Sequence, residues 1–268
     1  MARLRPLRLT TDDISTSVTV YRNTVRCPKN TDENDDWKRH GYVPLDRDIG
    51  MQVIVPFDPQ SPKTRLSGVL DAKERERFAR AMLRDVLNTI TAADHTPVVL
   101  TTTALDIDAE TRLDKRSLTP AVNAILDNTA VSVPIAVVMA DLALATPASL
   151  QKLFDTDGDL VLARGIGGGT NALVSHHPHF RVDYHGASYR DHLAAADAVG
   201  ASVAEIDSYR LGIDIDEPTD LVELLLHGDG HAAQWLQNAG IRLVDDQGRV
   251  AVRREASGSD EAVRVRRL

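Results

Sequence analysis

Short apolar runs alternate with amphipathic stretches along the chain from Met51 onward. The runs at 52–55, 97–101 and 133–139 are typical of short buried strands. Between the first two, residues 72–88 carry apolar side chains at helical spacing and charges on the other face, which predicts a helix. The same periodicity predicts further helices at 118–126, 147–154, 192–199 and 219–226.

Strands that alternate with helices predict an α/β fold with a mostly parallel sheet covered by helices. We assign this single domain to residues 51–245. Residues 1–50 are polar and poorly periodic, so they have no means of building a core. Because Met51 directly precedes the first strand, we favour a mis-assigned start for these residues, and a disordered leader is the alternative. Residues 246–268 form a polar C-terminal tail, and we expect its arginine-rich part, residues 249–268, to be frayed.

Composition narrows the class of protein. A chain of 268 residues can bury a full core, and its single cysteine, Cys27, excludes an internal disulfide framework. No apolar run is long enough to span a membrane, and the N-terminus lacks a secretory signal. These features predict a cytoplasmic protein that has no membrane partner.

The net charge of −8 lies in the main body of the chain. Residues 51–268 contain 22 basic and 31 acidic residues, and the whole chain has only six lysines beside 25 arginines. An aspartate-rich, lysine-poor surface keeps a protein soluble in concentrated salt, which suggests a halophilic host. The main body shows no basic stripe, so we expect no nucleic-acid partner.

A glycine-rich loop begins at Gly165 and ends with Thr170 and Asn171. It contains four glycines within five residues, and successive backbone N–H groups in such a loop form a concavity suited to anions. A dinucleotide fingerprint is a weaker explanation, since Thr170 replaces the expected third glycine and Pro178 leaves little room for a helix. A merely flexible loop is the other alternative.

Charged residues follow three predicted strands or extended segments, where ligands bind in open α/β sheets. Lys63 and Arg65 lie in a proline-rich loop that suits a phosphate chain. Asp141 ends the third strand, and alternation places Asp214 and Asp216 on one side of an extended segment. We expect Asp141 and the Asp214/Asp216 pair to hold Mg²⁺ through one or two carboxylates, which leaves its other positions for phosphates and water. Asp220 is better explained as a helix cap.

A second anion site is predicted around Gly186 and Ser188. A helix that starts near Ser188 would present backbone N–H groups and a hydroxyl to an anion, although Ser188 as a plain helix cap is the alternative. The histidines 176, 177 and 179 resemble a metal cluster, but they flank Pro178 in a predicted surface loop, so we do not assign a metal there.

Taken in order, these motifs resemble the 2-phospho-L-lactate guanylyltransferase family of coenzyme F-420 biosynthesis, in a form typical of haloarchaea. The resemblance covers about residues 51–226 and rests on the following segments: Val53-Ile-Val-Pro-Phe, Lys63-Thr-Arg-Leu, Ala81-Met-Leu-Arg-Asp-Val-Leu, Ala140-Asp-Leu, Gly167-Gly-Gly-Thr-Asn-Ala-Leu, Gly186-Ala-Ser-Tyr-Arg-Asp-His and Asp214-Ile-Asp-Glu-Pro-Thr-Asp-Leu.

The resemblance implies a GT-A-like nucleotidyltransferase, usually a homodimer, that joins GTP to a phosphorylated three-carbon acid and releases pyrophosphate. Lys63 and Arg65 would hold the triphosphate, and Asp141 with Asp214 or Asp216 would bind Mg²⁺. The acceptor's phosphate and carboxylate would be received by the following residues: Gly168, Gly169, Thr170, Asn171, Gly186 and Ser188.

Three alternatives remain open at this point. Phosphoenolpyruvate shares the phosphate and carboxylate of phospholactate, and the sequence does not separate the two acceptors. A different nucleotidyltransferase would normally carry a glycine-rich loop after the first strand, where this chain has Pro56 and Phe57. A non-catalytic nucleotide-binding protein would not need all three candidate aspartates.

Overall fold

A mostly parallel sheet forms the centre of the protein. The computed structural model describes residues 6–9, 16–21, 50–60, 62–129 and 133–255. The strands of the sheet, in chain order, are β1 (Pro6–Leu9), β2 (Thr16–Tyr21), β3 (Gln52–Phe57), β4 (Pro97–Thr101), β5 (Glu110–Leu113), β6 (Ile135–Val138), β7 (Leu160–Arg164), β8 (Thr170–Ser175) and β9 (Val203–Ser208). Their order across the sheet is β1-β2-β9-β7-β8-β6-β3-β4-β5.

Strand direction confirms the predicted α/β class. β6, β3, β4 and β5 pair in parallel, as do β7 and β9. β8 is antiparallel to both of its neighbours, β6 and β7. The parallel strands therefore direct their carboxyl ends to one edge of the sheet, where ligands bind in folds of this kind.

Helices cover both faces of the sheet, as predicted. They are α1 (Ala72–Ala92), α2 (Leu118–Asn128), α3 (Pro147–Asp155), α4 (Ser188–Ala198), α5 (Tyr209–Gly212), α6 (Pro218–His227) and α7 (His231–Asn238). Val53 and Val55 of β3 pack into one core with α1, α3, α6 and α7, whereas Ile54 packs into a second core with α2 and α4. Successive strand residues point to opposite faces, so a sheet buried on both sides requires a continuous apolar run.

The amino-terminal segment contains two strands that the sequence patterns did not predict. β2 pairs antiparallel with β9, and β1 pairs with β2. Thr16–Tyr21 is rich in β-branched residues, which favour strands, so disorder is the wrong prediction for these few residues. The rest of the predicted leader lies outside the described residues, and the domain division at residue 51 stays a prediction.

The carboxy-terminal tail also needs correction. β10 (Ile241–Asp246) pairs with β11 (Arg249–Arg254) in a hairpin, whereas we predicted a frayed tail from residue 249. Gln247 and Gly248 take positive φ angles of 55° and 82°, which suit a tight two-residue turn. Val252 packs against the main core, which stabilises the hairpin. Residues 256–268 lie outside the described part of the chain.

Within the described residues, no helix has both the length and the apolar character needed to cross a membrane.

Candidate functional site

The loop after β3 carries Lys63 in a constrained conformation. Lys63 has φ 54° and ψ 44°, a left-handed conformation that is uncommon for residues other than glycine. It directly precedes a 3-10 turn over Thr64–Gly68, whose Leu66 is fully buried. Arg75 of α1 donates from Nε to the Pro62 carbonyl oxygen at 3.3 Å and from Nη1 to the Leu70 carbonyl oxygen at 3.0 Å. Leu66 and Arg75 therefore hold both ends of the lysine loop.

Three carboxylates meet at the carboxyl edge of the sheet. Asp141 follows β6, and Asp214 and Asp216 follow α5; one oxygen of each lies within 4.8 Å of the others. The Ile215 N–H donates to the Asp141 carbonyl oxygen at 3.3 Å, which joins the two segments. The structure thus brings together the three aspartates that were singled out as metal ligands.

Lys63 lies between two of these carboxylates. Its Nζ is 2.7 Å from Oδ2 of Asp141 and 2.5 Å from Oδ1 of Asp216. Burial alone would lower the pKa of Lys63, but the two negative charges outweigh it and raise that pKa above its ordinary value. The lysine therefore carries a positive charge at neutral pH and neutralises part of the cluster.

The carboxylate cluster retains capacity for a further cation. Oδ1 of Asp141 is buried and has no hydrogen-bond partner among the described residues. Burial, followed by the nearby charge of Asp141, raises the pKa of Asp214 above its ordinary value. Oxygen ligands of this type, one of them unsatisfied, fit a hard divalent cation such as Mg²⁺.

Arg65 and Asp220 lie around the cluster in different roles. The Arg65 side chain is exposed, and its Nη1 is 3.9 Å from Oδ2 of Asp216 and 3.6 Å from Oε1 of Glu217. Oδ2 of Asp220 accepts from the N–H groups of Asp216 and Glu217 at 2.9 and 2.7 Å. Asp220 therefore has the predicted capping role, as the third residue of α6 in a capping box with the N-cap Glu217. Arg65 is available to a ligand that approaches from solvent.

The glycine-rich segment forms the turn of the β7–β8 hairpin. The Gly165 N–H donates to the Gly169 carbonyl oxygen at 2.8 Å, and the Ile166 N–H donates to the Gly212 carbonyl oxygen at 2.9 Å. Gly168 needs its positive φ of 86°. A Cβ atom on Gly165 would lie 2.5 Å from Oδ1 of Asn171. The shape of the turn therefore explains why glycine is present at positions 165 and 168. The anion-binding role of the loop stays a prediction.

Asn171 connects the glycine hairpin to the aspartates. Its buried side chain donates from Nδ2 to the Leu211 carbonyl oxygen at 3.0 Å and to Oδ1 of Asp214 at 3.2 Å. This amide holds the carboxylate of Asp214 in place. Asn171 therefore supports the carboxylate of Asp214, whereas Lys63 contacts the carboxylates of Asp141 and Asp216.

Thr170 and Ser188 meet in a buried network beside the hairpin. The Thr170 N–H donates to Oγ of Ser188 at 3.0 Å, and Oγ1 of Thr170 lies 2.8 Å from Nδ1 of His192. All three side chains are buried. Gly186 is exposed in the loop before α4, with φ 44°. The sequence patterns missed His192, although its position four residues after Ser188 places both on one face of α4.

The histidines 176, 177 and 179, to which we assigned no metal, lie apart from the carboxylate cluster. Among the described residues, the only group of potential metal ligands found together is that of the three aspartates. Nδ1 of His177 instead accepts from the His179 N–H at 3.3 Å.

Comparison with solved structures identifies the class of the fold. The chain superposes with a TM-score of 0.51 on a crystal structure from Desulfovibrio desulfuricans G20 assigned as a nucleotide-diphospho-sugar transferase. The superposition covers 70% of this chain and 94% of that chain at 12% sequence identity, a likeness that shows the fold alone. The fold is therefore that of the nucleotide-diphospho-sugar transferases, with a strand-end carboxylate cluster.

The chain belongs to the CofC family, because residues 51–257 match the family described as "Guanylyl transferase CofC like". It is 56% identical over 204 residues to the 2-phospho-L-lactate guanylyltransferase of Natronomonas pharaonis, covering 76% of this chain and 99% of that protein. The enzyme of the same name from Halomicrobium mukohataei is 55% identical, with 76% and 100% covered. The predicted family and its haloarchaeal character are confirmed.

Proposed function

We propose that this protein is a guanylyltransferase that joins GTP to 2-phospho-L-lactate, forming lactyl-2-diphospho-5'-guanosine and pyrophosphate in coenzyme F-420 biosynthesis. The observation that carries the proposal is the contact of Lys63 with Asp141 and Asp216 at the carboxyl edge of the sheet. A cation beside a carboxylate cluster suits the transfer of a nucleotide between two polyanions. The activity named for the 44–56% identical relatives supports it.

On the nucleotide side, Lys63 and Arg65 bind the triphosphate by charge. Lys63 is held close to the aspartates, whereas Arg65 is exposed and can reach a phosphate chain from outside. Asp141, Asp214 and Asp216 would hold Mg²⁺, and the unpartnered Oδ1 of Asp141 supports this assignment. The bound ion would neutralise charge on the phosphates as pyrophosphate leaves.

The reaction needs no general base from the protein. An oxygen of the acceptor's phosphate attacks the α-phosphorus of GTP, the bond from that phosphorus to the bridging oxygen of the β-phosphate breaks, and pyrophosphate leaves with the bonding electrons. The attacking phosphate is already ionised at neutral pH, so no proton has to be removed. The protein contributes orientation in line and compensation of negative charge.

The acceptor side lies at the β7–β8 hairpin and the start of α4. In the proposal, Gly168, Gly169 and Thr170 with Gly186 face the acceptor's phosphate and carboxylate. Asn171 and Ser188 are buried behind them, where they hold Asp214 and the backbone of Thr170. The side chain of Thr170 is buried as well, and in the proposal only its hydroxyl faces the acceptor.

A pyrophosphate-release assay tests the proposal. It crosses GTP, ATP, CTP and UTP with 2-phospho-L-lactate and phosphoenolpyruvate in high-salt buffer containing Mg²⁺. We expect release with GTP and phospholactate. Pyrophosphate release only with phosphoenolpyruvate would mean that phosphoenolpyruvate, and not phospholactate, is the acceptor. GTP binding without pyrophosphate release in any combination would mean that the protein is a non-catalytic nucleotide binder. The proposal includes a homodimer, which light scattering in the same buffer measures.

A further inference from the structure

His192 is a fully buried polar residue in contact with Thr170. Its Nδ1 lies 2.8 Å from Oγ1 of Thr170, while its Nε2 has no hydrogen-bond partner among the described residues. The rings of Phe180 and Tyr184 pack edge-on against the imidazole at centroid distances of 5.9 and 4.9 Å. Burial lowers the pKa of His192 to about 4, so the ring is neutral at pH 7 and carries one N–H.

Two proton arrangements fit the short contact. In the first, the proton is on Nδ1 and is donated to Oγ1 of Thr170, which leaves the hydroxyl proton of Thr170 free for another acceptor. In the second, Thr170 donates to Nδ1, and the proton on Nε2 has no acceptor in the core. A buried N–H without an acceptor is rarer and more costly than a buried acceptor without a donor. The first arrangement is therefore favoured when an oxygen at the hairpin accepts the hydroxyl proton of Thr170, because bare Nε2 is then the only unsatisfied group.

The surroundings of Thr170 determine where its hydroxyl proton can go. Its backbone N–H is already bonded to Oγ of Ser188, and among the described residues His192 is the only partner of its hydroxyl. Thr170 directly follows the glycine hairpin, where Gly167 has no atom within 4 Å of the position that a Cβ would occupy. Thr170 is itself buried, so a ligand oxygen would have to sit directly against this hairpin to accept the proton, whereas Nε2 has no partner among the described residues.

We infer that His192 is a positioning residue that holds the Thr170 hydroxyl as a hydrogen-bond donor to an anionic oxygen of the acceptor. His192 does not touch the acceptor; it acts by donating from Nδ1 to Oγ1 of Thr170. The acceptor role and the class of ligand, a phosphorylated carboxylic acid, rest on the proposed function. The direction of the Thr170–His192 hydrogen bond requires only that an oxygen of a ligand or of solvent at the hairpin accepts the hydroxyl proton.

Steady-state kinetics of His192 variants test the acceptor role. His192→Leu keeps an apolar side chain in the core but removes the donor, and His192→Asn keeps an N–H near the position of Nδ1. We expect the KM for 2-phospho-L-lactate to rise about tenfold in His192→Leu, the loss of roughly one hydrogen bond to a charged group. The KM for GTP should stay within about twofold. His192→Asn should recover most of the loss, and Ala194→Ser, exposed on the same helix, is the matched control.

A double-mutant cycle separates positioning from core packing. Thr170→Val removes the hydroxyl through which His192 is proposed to act. Adding His192→Leu to Thr170→Val should therefore cause no further rise in the KM for the acceptor. Additive effects, or equal rises in both KM values in His192→Leu, would mean that His192 only packs the core, and the inference would be overturned.

The direction of the hydrogen bond is measured without any substrate. Long-range proton–nitrogen correlation spectra of ¹⁵N-histidine-labelled protein, with His192→Asn to assign the signal, report which ring nitrogen is protonated. We expect protonated Nδ1 and bare Nε2, and the opposite tautomer would overturn the inference. If the wild-type protein released no pyrophosphate, the proposed function and the acceptor role would fail together, while the tautomer would still decide the hydrogen bond.

Discussion

Nζ of Lys63 donates to Oδ2 of Asp141 at 2.7 Å, across 78 residues of sequence. The contact is partly shielded, since the side chain of Lys63 is 11% and that of Asp141 24% exposed. Lys63 also bonds Asp216, so one ammonium occupies two of the three carboxylates proposed to bind Mg²⁺. In the proposed mechanism the lysine and the metal therefore share ligands, and a triphosphate that attracts the lysine would make these ligands more available to the metal.

Removal of the lysine charge should strengthen metal binding in the absence of nucleotide. In Lys63→Met the carboxylates lose their competing cation, so we expect Mn²⁺ to bind about tenfold more tightly than to the wild type. GTP should bind more weakly to the same variant. Mn²⁺ titration followed by electron paramagnetic resonance, with and without GTP, measures both effects. Lys73→Met, on the exposed face of α1, is the control, and unchanged Mn²⁺ affinity in Lys63→Met would contradict the shared-ligand explanation.

Loss of the Asp141 charge should abolish most of the activity without unfolding the protein. Asp141→Asn keeps the size of the side chain but removes a negative charge from the proposed metal site. We expect pyrophosphate release with GTP to fall about a thousandfold, on the scale of losing a key electrostatic group. Asp155→Asn, an exposed change at the end of α3, should leave the rate unchanged. Near-wild-type release by Asp141→Asn would exclude Asp141 from the mechanism.

Arg75 should affect nucleotide use through the lysine loop. Its guanidinium bonds the carbonyl oxygens of Pro62 and Leu70, on either side of Lys63. Arg75→Ala frees these ends, so we expect kcat/KM for GTP to fall about tenfold, because misplaced groups reduce rates steeply. The KM for the acceptor should not change. Arg84→Ala, exposed on the same helix, provides the comparison; an equal loss in both variants would rule out a specific role for the loop contacts.

Stability should decrease below neutral pH because of His192. Its folded-state pKa is about 4, whereas the unfolded chain binds the proton near pH 6.5. The contribution of this group is therefore complete above pH 6.5 and is lost as the pH falls toward 4. Between pH 7 and pH 5 we expect a loss of about 2 kcal/mol from this group. Guanidinium denaturation at both pH values measures it, and His192→Leu should show a correspondingly smaller pH dependence; the same dependence in both proteins would refute the assignment.

Sequence patterns predicted three strands of the sheet, β3, β4 and β6, and five of the seven helices in the described part of the chain. The strand at Pro97–Thr101 has the predicted bounds, and α1 begins at the predicted Ala72 because Asp71 and Glu74 form a capping box. The central strands β5, β7, β8 and β9 were not predicted, nor were the strands near the two chain ends. The exposed Glu110–Leu113 lacks any apolar alternation, and Thr170–Ser175 becomes a strand by pairing with β6 and β7. Such pairing depends on partners that are distant in sequence.

The candidate site also has a part that local sequence patterns predict and a part that depends on contacts between distant segments. The rule that ligands bind at strand ends selected Lys63, Asp141, Asp214 and Asp216 from local patterns alone, and the four residues meet in the structure. The chain order of apolar runs determines which ends share an edge, so this part was accessible from sequence.

The contacts between these side chains could not be predicted from local sequence patterns. The left-handed backbone at Lys63 directs its ammonium into the aspartate cluster, and the packing of α4 against β8 joins His192 to Thr170. Local spacing cannot encode either arrangement, because each depends on packing between segments that lie far apart in the chain. Residue types and strand ends thus follow from short-range patterns, whereas hydrogen-bond direction, burial and charge pairing follow from the packed chain.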